Sequence, residues 1–259
     1  MKPLENNDDA LLSAGDPEPV ERVNEDSQSP VLLLCEHGGK QLPIKQNMLG
    51  LSADTLNEHI AWDIGAAAVA RKVAAMLQAP LLVQRYSRLL IDCNRPPNTL
   101  ASIPERSDGV IIPGNRNLSQ PQRLSRQLEV FDPLDDAIKE SLTRHQRKAA
   151  FSIHSFTPQM HDQQPRPWHA GFLTRTDHGT SEAMIGVIKQ QRPALMLAIN
   201  EPYDIDDETD WFIPRYAESN ELVHCLIEIR NDQLRTDDGI DLWAELLGLA
   251  ISAVTKDIN

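Results

Sequence analysis

Short apolar runs alternate along the chain with stretches that carry apolar residues at helical spacing. The run at 31–35 is apolar throughout, which is typical of a strand buried on both faces of a covered sheet. The stretch at 63–77 places its apolar residues on one face and predicts an amphipathic helix. The same patterns predict further strands at 81–83, 89–95, 151–154, 170–173, 195–199 and 226–229, and further helices at 52–56, 119–148 (one helix or two), 181–191 and 239–258.

This alternation of strands and helices predicts an α/β fold. Helices on both faces of a mixed, mostly parallel central sheet would give a three-layer α/β/α architecture. We expect a single domain of this kind over residues 29–259. Residues 1–28 are acidic and interrupted by Pro17 and Pro19, so they offer too little apolar surface to offset their ordering entropy. We therefore predict that residues 1–28 form a poorly ordered N-terminal tail.

Composition and net charge argue against some kinds of partner and indicate a cellular compartment. The chain has 259 residues and a net charge of −13, which argues against nonspecific binding to nucleic acid or to an anionic membrane surface. Its three cysteines include no Cys-x-x-Cys pair, a pattern that suits a reducing compartment. The sequence has no signal-peptide pattern and no apolar stretch approaching ~18 residues. We expect a cytoplasmic protein, and a homo-oligomer is one of the assembly states left open.

Two histidines follow predicted strands and suggest a metal site. His37 comes directly after the run at 31–35, and His154 ends the run at 151–154. Strand ends of an open α/β sheet gather in one crevice, so we expect the two imidazoles to meet there. A hydrolytic zinc takes three protein ligands and keeps one position open for water. Asp63 is our first choice for the third ligand and Glu36 our second.

Glu228 is an acidic residue inside an apolar strand pattern. An acid between apolar neighbours is costly to bury unless it faces a cavity, a metal or a cation. Partial burial would raise its pKa toward the range that suits a general base. The alternative is an edge strand on which Glu228 faces water.

Several arginines also lie near predicted strand ends. Arg95, with Asn94 beside it, is equipped to grip a carboxylate through two parallel hydrogen bonds. Arg85, Arg88 and Arg230 add positive charge in a strongly acidic chain, which favours a local site for an anionic substrate. The alternative is ordinary surface ion pairing.

The segment 200–203 follows another predicted strand. It contains Glu201, which would contact the substrate if the segment borders the site; otherwise the segment forms a turn.

Together these motifs resemble the N-formylglutamate amidohydrolase family. The matching segments appear in the family's order and cover roughly residues 30 to 250. They are CEHGG at 35–39, LP at 42–43, HIAWDIGA at 59–66, QRYSRLLIDCNRPP at 84–97, SIPE at 102–105, HSFTP at 154–158, RPWH at 166–169, NEPY at 200–203 and IEIR at 227–230.

The resemblance implies a zinc-dependent, or other divalent-metal-dependent, hydrolase of a small anionic N-acyl amino acid, with release of formate and glutamate from N-formylglutamate. A more distant likeness to zinc carboxypeptidases and aminoacylases implies a fold of the phosphorylase/hydrolase-like, zinc-exopeptidase-like kind. It also implies particular roles for the residues that match its motifs. These are metal binding by His37 and His154, substrate-carboxylate binding by Asn94 and Arg95, and general base catalysis by Glu228. Arg88 or Arg230 would then steady the oxyanion.

Three departures from the family pattern leave a second reading open. Lys40 stands where the related fold has a metal-binding Glu, Tyr216 lies where a histidine is usual, and Leu222 lies in a segment that also differs from the usual one. A catalytically degenerate homologue that binds an acidic metabolite or a partner protein is therefore the alternative. A serine esterase is disfavoured because the sequence contains no Gly-x-Ser-x-Gly.

Overall fold

The computed structural model describes residues 10–258, in which the backbone forms strands, α-helices and shorter helical turns. The strands are β1 (Val20–Val23), β2 (Val31–Cys35), β3 (Leu81–Gln84), β4 (Arg106–Ser107), β5 (Val110–Ile111), β6 (Ala149–Phe156), β7 (Ala170–Leu173), β8 (Leu197–Ile199) and β9 (Val223–Arg230). The α-helices are α1 (Ala53–Leu56), α2 (Ala66–Leu77), α3 (Gln120–Arg126), α4 (Asp132–Arg144), α5 (His178–Gln191) and α6 (Asp237–Val254). Shorter 3₁₀ or π-helical turns cover Ile44–Gly50, Pro113–Asn115, Gln127–Phe131, Ile213–Glu218 and Asn231–Leu234.

The central sheet has the strand order β1-β3-β2-β6-β9-β7-β8. The neighbouring strands β3, β2, β6 and β9 run parallel to one another, and β7 and β8 are parallel to each other. The two antiparallel pairings join β1 to β3 and β7 to β9. The prediction of an α/β fold with a mixed, mostly parallel sheet is confirmed.

A hydrophobic layer covers each face of this sheet. Strand β2 contributes Leu33 and Cys35 to one layer and Leu32 and Leu34 to the other, as expected for a strand buried on both faces. Helices α2, α5 and α6 pack on the first face, and helix α4 packs on the second. This gives the predicted three layers and leaves the strand ends open between the helices.

The predicted strand at 89–95 is wrong. These residues form an irregular segment with turns, although Leu89, Leu90 and Ile91 are buried in the second hydrophobic layer. Their backbone groups find partners outside a strand ladder: Arg126 donates to the carbonyl of Leu90 at 2.8 Å and Asn115 donates to that of Leu89 at 2.7 Å. Apolarity correctly predicted burial here, but side-chain donors from distant segments replace strand pairing.

Helix boundaries follow local chemistry. Gly65 adopts a positive φ of 83° directly before α2, so the helix begins at Ala66 rather than at Asp63. The predicted helical region at 119–148 is divided into α3 and α4 by the π-helical turn Gln127–Phe131. Ser52 caps α1, because its side chain accepts from the amide of Thr55.

The predicted poorly ordered tail is wrong for residues 10–28. Strand β1 pairs with β3 along the sheet edge, and Leu11 is only 4% exposed in the second hydrophobic layer. The carboxylate of Glu129 accepts hydrogen bonds from the amides of Leu11 and Leu12 at 2.8 and 2.9 Å. An edge strand offers unpaired backbone groups that another segment can use, and composition alone does not reveal such a partner. The remaining part of that prediction, residues 1–9, lies outside the described residues.

A bilayer crossing would need a longer and more apolar helix than any formed by residues 10–258.

Replacing Leu11 with Ala should lower the free energy of unfolding by about 2 kcal/mol or more, because the change leaves a cavity in a buried layer. The matched control is Leu100→Ala, which changes a side chain that is 85% exposed and should cost less than about 0.5 kcal/mol. Urea unfolding followed by circular dichroism measures both. Equal, negligible effects would show that the segment around Leu11 is not packed on the domain.

Candidate metal and catalytic centre

The chemistry-bearing residues meet at the carboxyl ends of the central strands. Glu36 and His37 directly follow β2, His154 lies near the end of β6, and Glu228 lies opposite His154 on β9. Residues paired across neighbouring strands project from the same face of a sheet. His154 and Glu228 therefore face the same cavity of about 720 Å³, which His37 also lines.

Three buried side chains offer ligand atoms for a metal. One atom each from His37, Asp63 and His154 lies within 4.8 Å of the other two. Asp63 Oδ2 lies 3.5 Å from His37 Nδ1 and 2.8 Å from His154 Nδ1. The amide of Asp63 donates to the carbonyl of His37 at 2.9 Å, which holds this residue at the strand end although it comes from a different segment.

Further carboxylates orient both imidazole rings. Asp92 Oδ1 lies 2.7 Å from His37 Nε2, and Glu36 Oε2 lies 3.2 Å from His154 Nε2. Ser152 in turn donates to Glu36 Oε2 at 2.5 Å. Each histidine thus turns Nδ1 toward Asp63, the arrangement in which metal-binding histidines are held by a carboxylate on the other ring nitrogen.

The residues present fit a zinc or similar divalent ion. His37 Nδ1 is buried without a hydrogen-bond partner among residues 10–258, and two nitrogens with one carboxylate oxygen are a usual ligand set for catalytic zinc. Both candidates for the third ligand are present, but with different geometry. Asp63 faces both Nδ1 atoms, whereas Glu36 contacts the opposite side of the His154 ring.

The charges of this cluster depend on one another. Burial by itself would raise the pKa of Asp63, but the facing His37 and His154 outweigh it and hold that pKa below its usual value. Burial would likewise lower the pKa of the His154 imidazole, but Glu36 and Asp63 raise it well above its usual value. The buried carboxylates therefore create a local site that favours a cation.

Glu228 is distinct from the other acids of the centre. It is 8% exposed, and its Oε2 has no hydrogen-bond partner within residues 10–258. Burial raises its pKa to about 7, against the opposing influence of His154. A carboxyl group with this pKa can both accept and return a proton near neutrality. The alternative of a water-facing edge strand is wrong, because β9 lies between β6 and β7.

Arg88, Asn94 and Arg95 line the same cavity. Arg88 donates to Asp92 Oδ2 at 2.7 Å and lies 3.5 Å from Asp63 Oδ1. Arg95 donates to the carbonyl of Thr209, and its nearest carboxylate oxygen, on Asp92, is 3.8 Å away. Its guanidinium therefore keeps N–H groups for a ligand.

Asn94 has a different task from the one predicted. Its side-chain oxygen accepts from the amides of Trp211 and Phe212 at 3.2 Å each, and its nitrogen donates to Asp210 at 3.1 Å. It fixes the loop that closes one side of the cavity, so most of its hydrogen-bonding capacity is used within the protein.

Three other predicted site residues lie outside the cavity wall. Arg85 turns toward the N-terminal segment and donates to the carbonyl of Glu18 at 3.1 Å. Arg230 extends past the strand end and pairs with Asp232 at 2.8 Å. The backbone carbonyl of Glu201 lies against Gly171 of β7, and Glu201 is not among the residues that line the cavity. We do not carry forward the predicted contacts of these three residues with substrate.

Sequence reasoning missed the orienting role of Asp92 and the presence of Asp210 in the wall, and it left open whether the segment 200–203, which places Tyr203 there, borders the site. The position of Asp92, two residues before Asn94 in the Asp-x-Asn-Arg segment, was the available signal. The sequence of the acidic loop that contains Asp210 carried no such signal. The loop is held in the wall by a hydrogen bond from Asn94, which lies in a distant part of the chain.

The fold and this centre place the chain among α/β proteins that carry a candidate metal site at the strand ends. Residues 29–235 match the family model described as N-formylglutamate amidohydrolase. The chain therefore belongs to the N-formylglutamate amidohydrolase family. A search of curated proteins finds no match.

Two solved structures are similar over nearly the whole chain. The gene product Atu2144 from Agrobacterium tumefaciens is 33% identical, with a TM-score of 0.89 over 96% of this chain and 100% of that one. The N-formylglutamate amidohydrolase from Ralstonia eutropha JMP134 is 16% identical, with a TM-score of 0.71 over 93% of this chain and 98% of that one. The second likeness shows that the fold is shared.

Replacing Glu36 with Gln should weaken zinc binding about 10- to 100-fold, because the neutral amide no longer holds the His154 ring by charge. Competition with a chromogenic chelator measures the dissociation constant. Glu182→Gln, an exposed change on α5, is the matched control and should bind zinc like the parent. An unchanged affinity in Glu36→Gln would remove Glu36 from the metal centre.

Proposed function

We propose that this protein is a metal-dependent hydrolase that cleaves the amide of a small N-acyl amino acid, with N-formylglutamate as the model substrate and formate and glutamate as its products. One observation carries the proposal. A buried carboxyl group with a pKa of about 7, Glu228, shares a cavity with the His37, Asp63 and His154 cluster. Family membership supports the same reaction class.

The residues divide the reaction between them. His37, Asp63 and His154 would hold zinc or another divalent ion. A bound ion supplies a Lewis acid and a water whose pKa is lowered toward neutrality. Glu228 takes a proton from the attacking water as the oxygen of that water bonds to the acyl carbon. Glu228 then returns the proton to the amine nitrogen as the carbon–nitrogen bond breaks.

Two arginines account for an anionic substrate. Arg95 lines the cavity, keeps N–H groups free for a ligand and would hold the substrate carboxylate through paired hydrogen bonds. Arg88 is fixed by Asp92 and would stabilise the negative charge that develops on the acyl oxygen. In both roles the arginines act from positions that are set before the substrate arrives.

The positions of the sequence departures favour an active enzyme over a degenerate homologue. Lys40 lies over the ring of Trp62, at 5.1 Å from its centroid, and contacts Asn57. Tyr216 donates from its hydroxyl to Asp135 and packs with Leu222 in the second hydrophobic layer. These three departures lie outside the cavity wall, so they leave the catalytic residues in place.

The test is hydrolysis of a panel of N-formyl and N-acetyl amino acids by the zinc-loaded protein, followed as released formate or acetate. We expect turnover of an anionic N-formyl amino acid that is lost on chelation and restored by zinc. Glu228→Gln should lower kcat about 10²- to 10⁴-fold, the usual contribution of a general base, and should retain stoichiometric zinc.

Glu182→Gln is again the matched control, and it should hydrolyse the panel like the parent. Zinc binding without turnover of any panel member would favour the degenerate homologue. Full activity of Glu228→Gln would remove Glu228 from the role of general base.

A further inference from the structure

Tyr203 occupies a position in the cavity that the proposed chemistry leaves unused. Gly171 on β7 pairs directly with Glu228 on β9, so both residues face the same side of the sheet. A Cβ atom on Gly171 would lie 1.6 Å from the carbonyl oxygen of Glu201. The backbone of Glu201 therefore fills the space of a side chain beside Glu228, and Tyr203 follows two residues later in the cavity wall.

Arg166 holds the ring of Tyr203 from outside the cavity wall. Its guanidinium lies 4.9 Å from the ring centroid, and its Nη1 donates to the phenol oxygen at 2.9 Å. The same Nη1 lies 3.3 Å from the carbonyl of Thr157. Arg230 in turn donates to the carbonyl of Arg166 at 3.0 Å, which fixes the segment that carries this arginine. The direction of the phenol is thus set by the protein alone.

This arrangement leaves the phenol of a residue in the cavity wall free to donate its proton to a ligand. A guanidinium can only donate, so the phenol oxygen of Tyr203 accepts from Arg166 and its own proton remains available. Burial and the charge of Glu228 raise the pKa of Tyr203, against the opposing influence of Arg166 and Arg88. The phenol therefore keeps its proton at neutral pH. Although its surroundings are partly desolvated, the residue keeps 39% of its surface exposed and is accessible to a bound molecule.

We propose that Tyr203 is a catalytic residue that donates a hydrogen bond from its phenol to the oxyanion formed at the acyl carbon, with Arg166 as its positioning residue. The inference rests on the proposed function. Tyr203 keeps its proton throughout, while Glu228 moves the water proton to the leaving amine. The phenol and the Arg88 guanidinium then share the charge of the tetrahedral intermediate.

The experiment measures kcat and KM of the zinc-loaded protein with the panel member that it hydrolyses best. Tyr203→Phe should lower kcat about 10- to 100-fold, the range of a hydrogen bond to a charged group, with KM and zinc content close to those of the parent. Tyr86→Phe is the matched control, because the hydroxyl of Tyr86 donates to the carbonyl of Pro17 at 2.7 Å away from the cavity. Its kcat should match that of the parent.

A double-mutant cycle tests the role of Arg166. Arg166→Gln should lower kcat less than Tyr203→Phe does, and it should cause no further loss in the Tyr203→Phe background. Arg166→Lys, which keeps one donor for the phenol, should recover most of the activity.

Two results would overturn the assignment: an unchanged kcat in Tyr203→Phe, whether or not KM changes, or fully additive losses in the double variant. A parent protein that hydrolyses no panel member would instead refute the proposed function, and this inference with it. The activity of the parent protein therefore distinguishes a wrong role for Tyr203 from a wrong proposed function.

Discussion

The contact of the Asp63 carboxylate with two histidines is the interaction on which the centre depends. Asp63 Oδ2 faces His37 Nδ1 and His154 Nδ1 and also accepts from the amide of Ser155 at 3.2 Å. An ionised carboxylate buried without partners would be expensive, and these contacts together offset that cost. They tie the ends of β2 and β6 to the segment that leads into α2.

Two further carboxylates hold the same histidines from the outside. Asp92 and Glu36 each hold one histidine on the ring nitrogen that faces away from Asp63. Arg88 contacts both Asp92 and Asp63, so these two carboxylates also have a cationic partner. Burial raises the pKa of Glu228, whereas the contacts of Asp63 with His37 and His154 outweigh the same effect and hold its pKa low. One buried environment thus keeps one carboxyl group ionised and leaves another able to exchange a proton.

Much of this could be predicted from the sequence, because strand patterns are local and strand ends meet in space. The apolar run before His37 and the apolar neighbours of Glu228 were enough to place both residues at the sheet. What failed depended on contacts between distant segments. The run at 89–95 is buried without being a strand because side chains such as Arg126 satisfy its carbonyls, and Leu11 is ordered because Glu129 accepts from its amide. All four arginines, Arg85, Arg88, Arg95 and Arg230, lie near predicted strand ends. Only their partners in the folded protein show that Arg88 and Arg95 line the cavity and that Arg85 and Arg230 do not.

In the mechanism proposed above, His37, Asp63 and His154 hold a catalytic metal beside Glu228. Anomalous diffraction at the zinc edge, from crystals of the zinc-loaded protein, tests it most directly. We expect one strong peak bonded to Nδ1 of His37, to Nδ1 of His154 and to the carboxylate of Asp63, with Glu228 facing it across the cavity. A peak bound elsewhere, or full-occupancy crystals in which these three side chains bind no zinc, would contradict it.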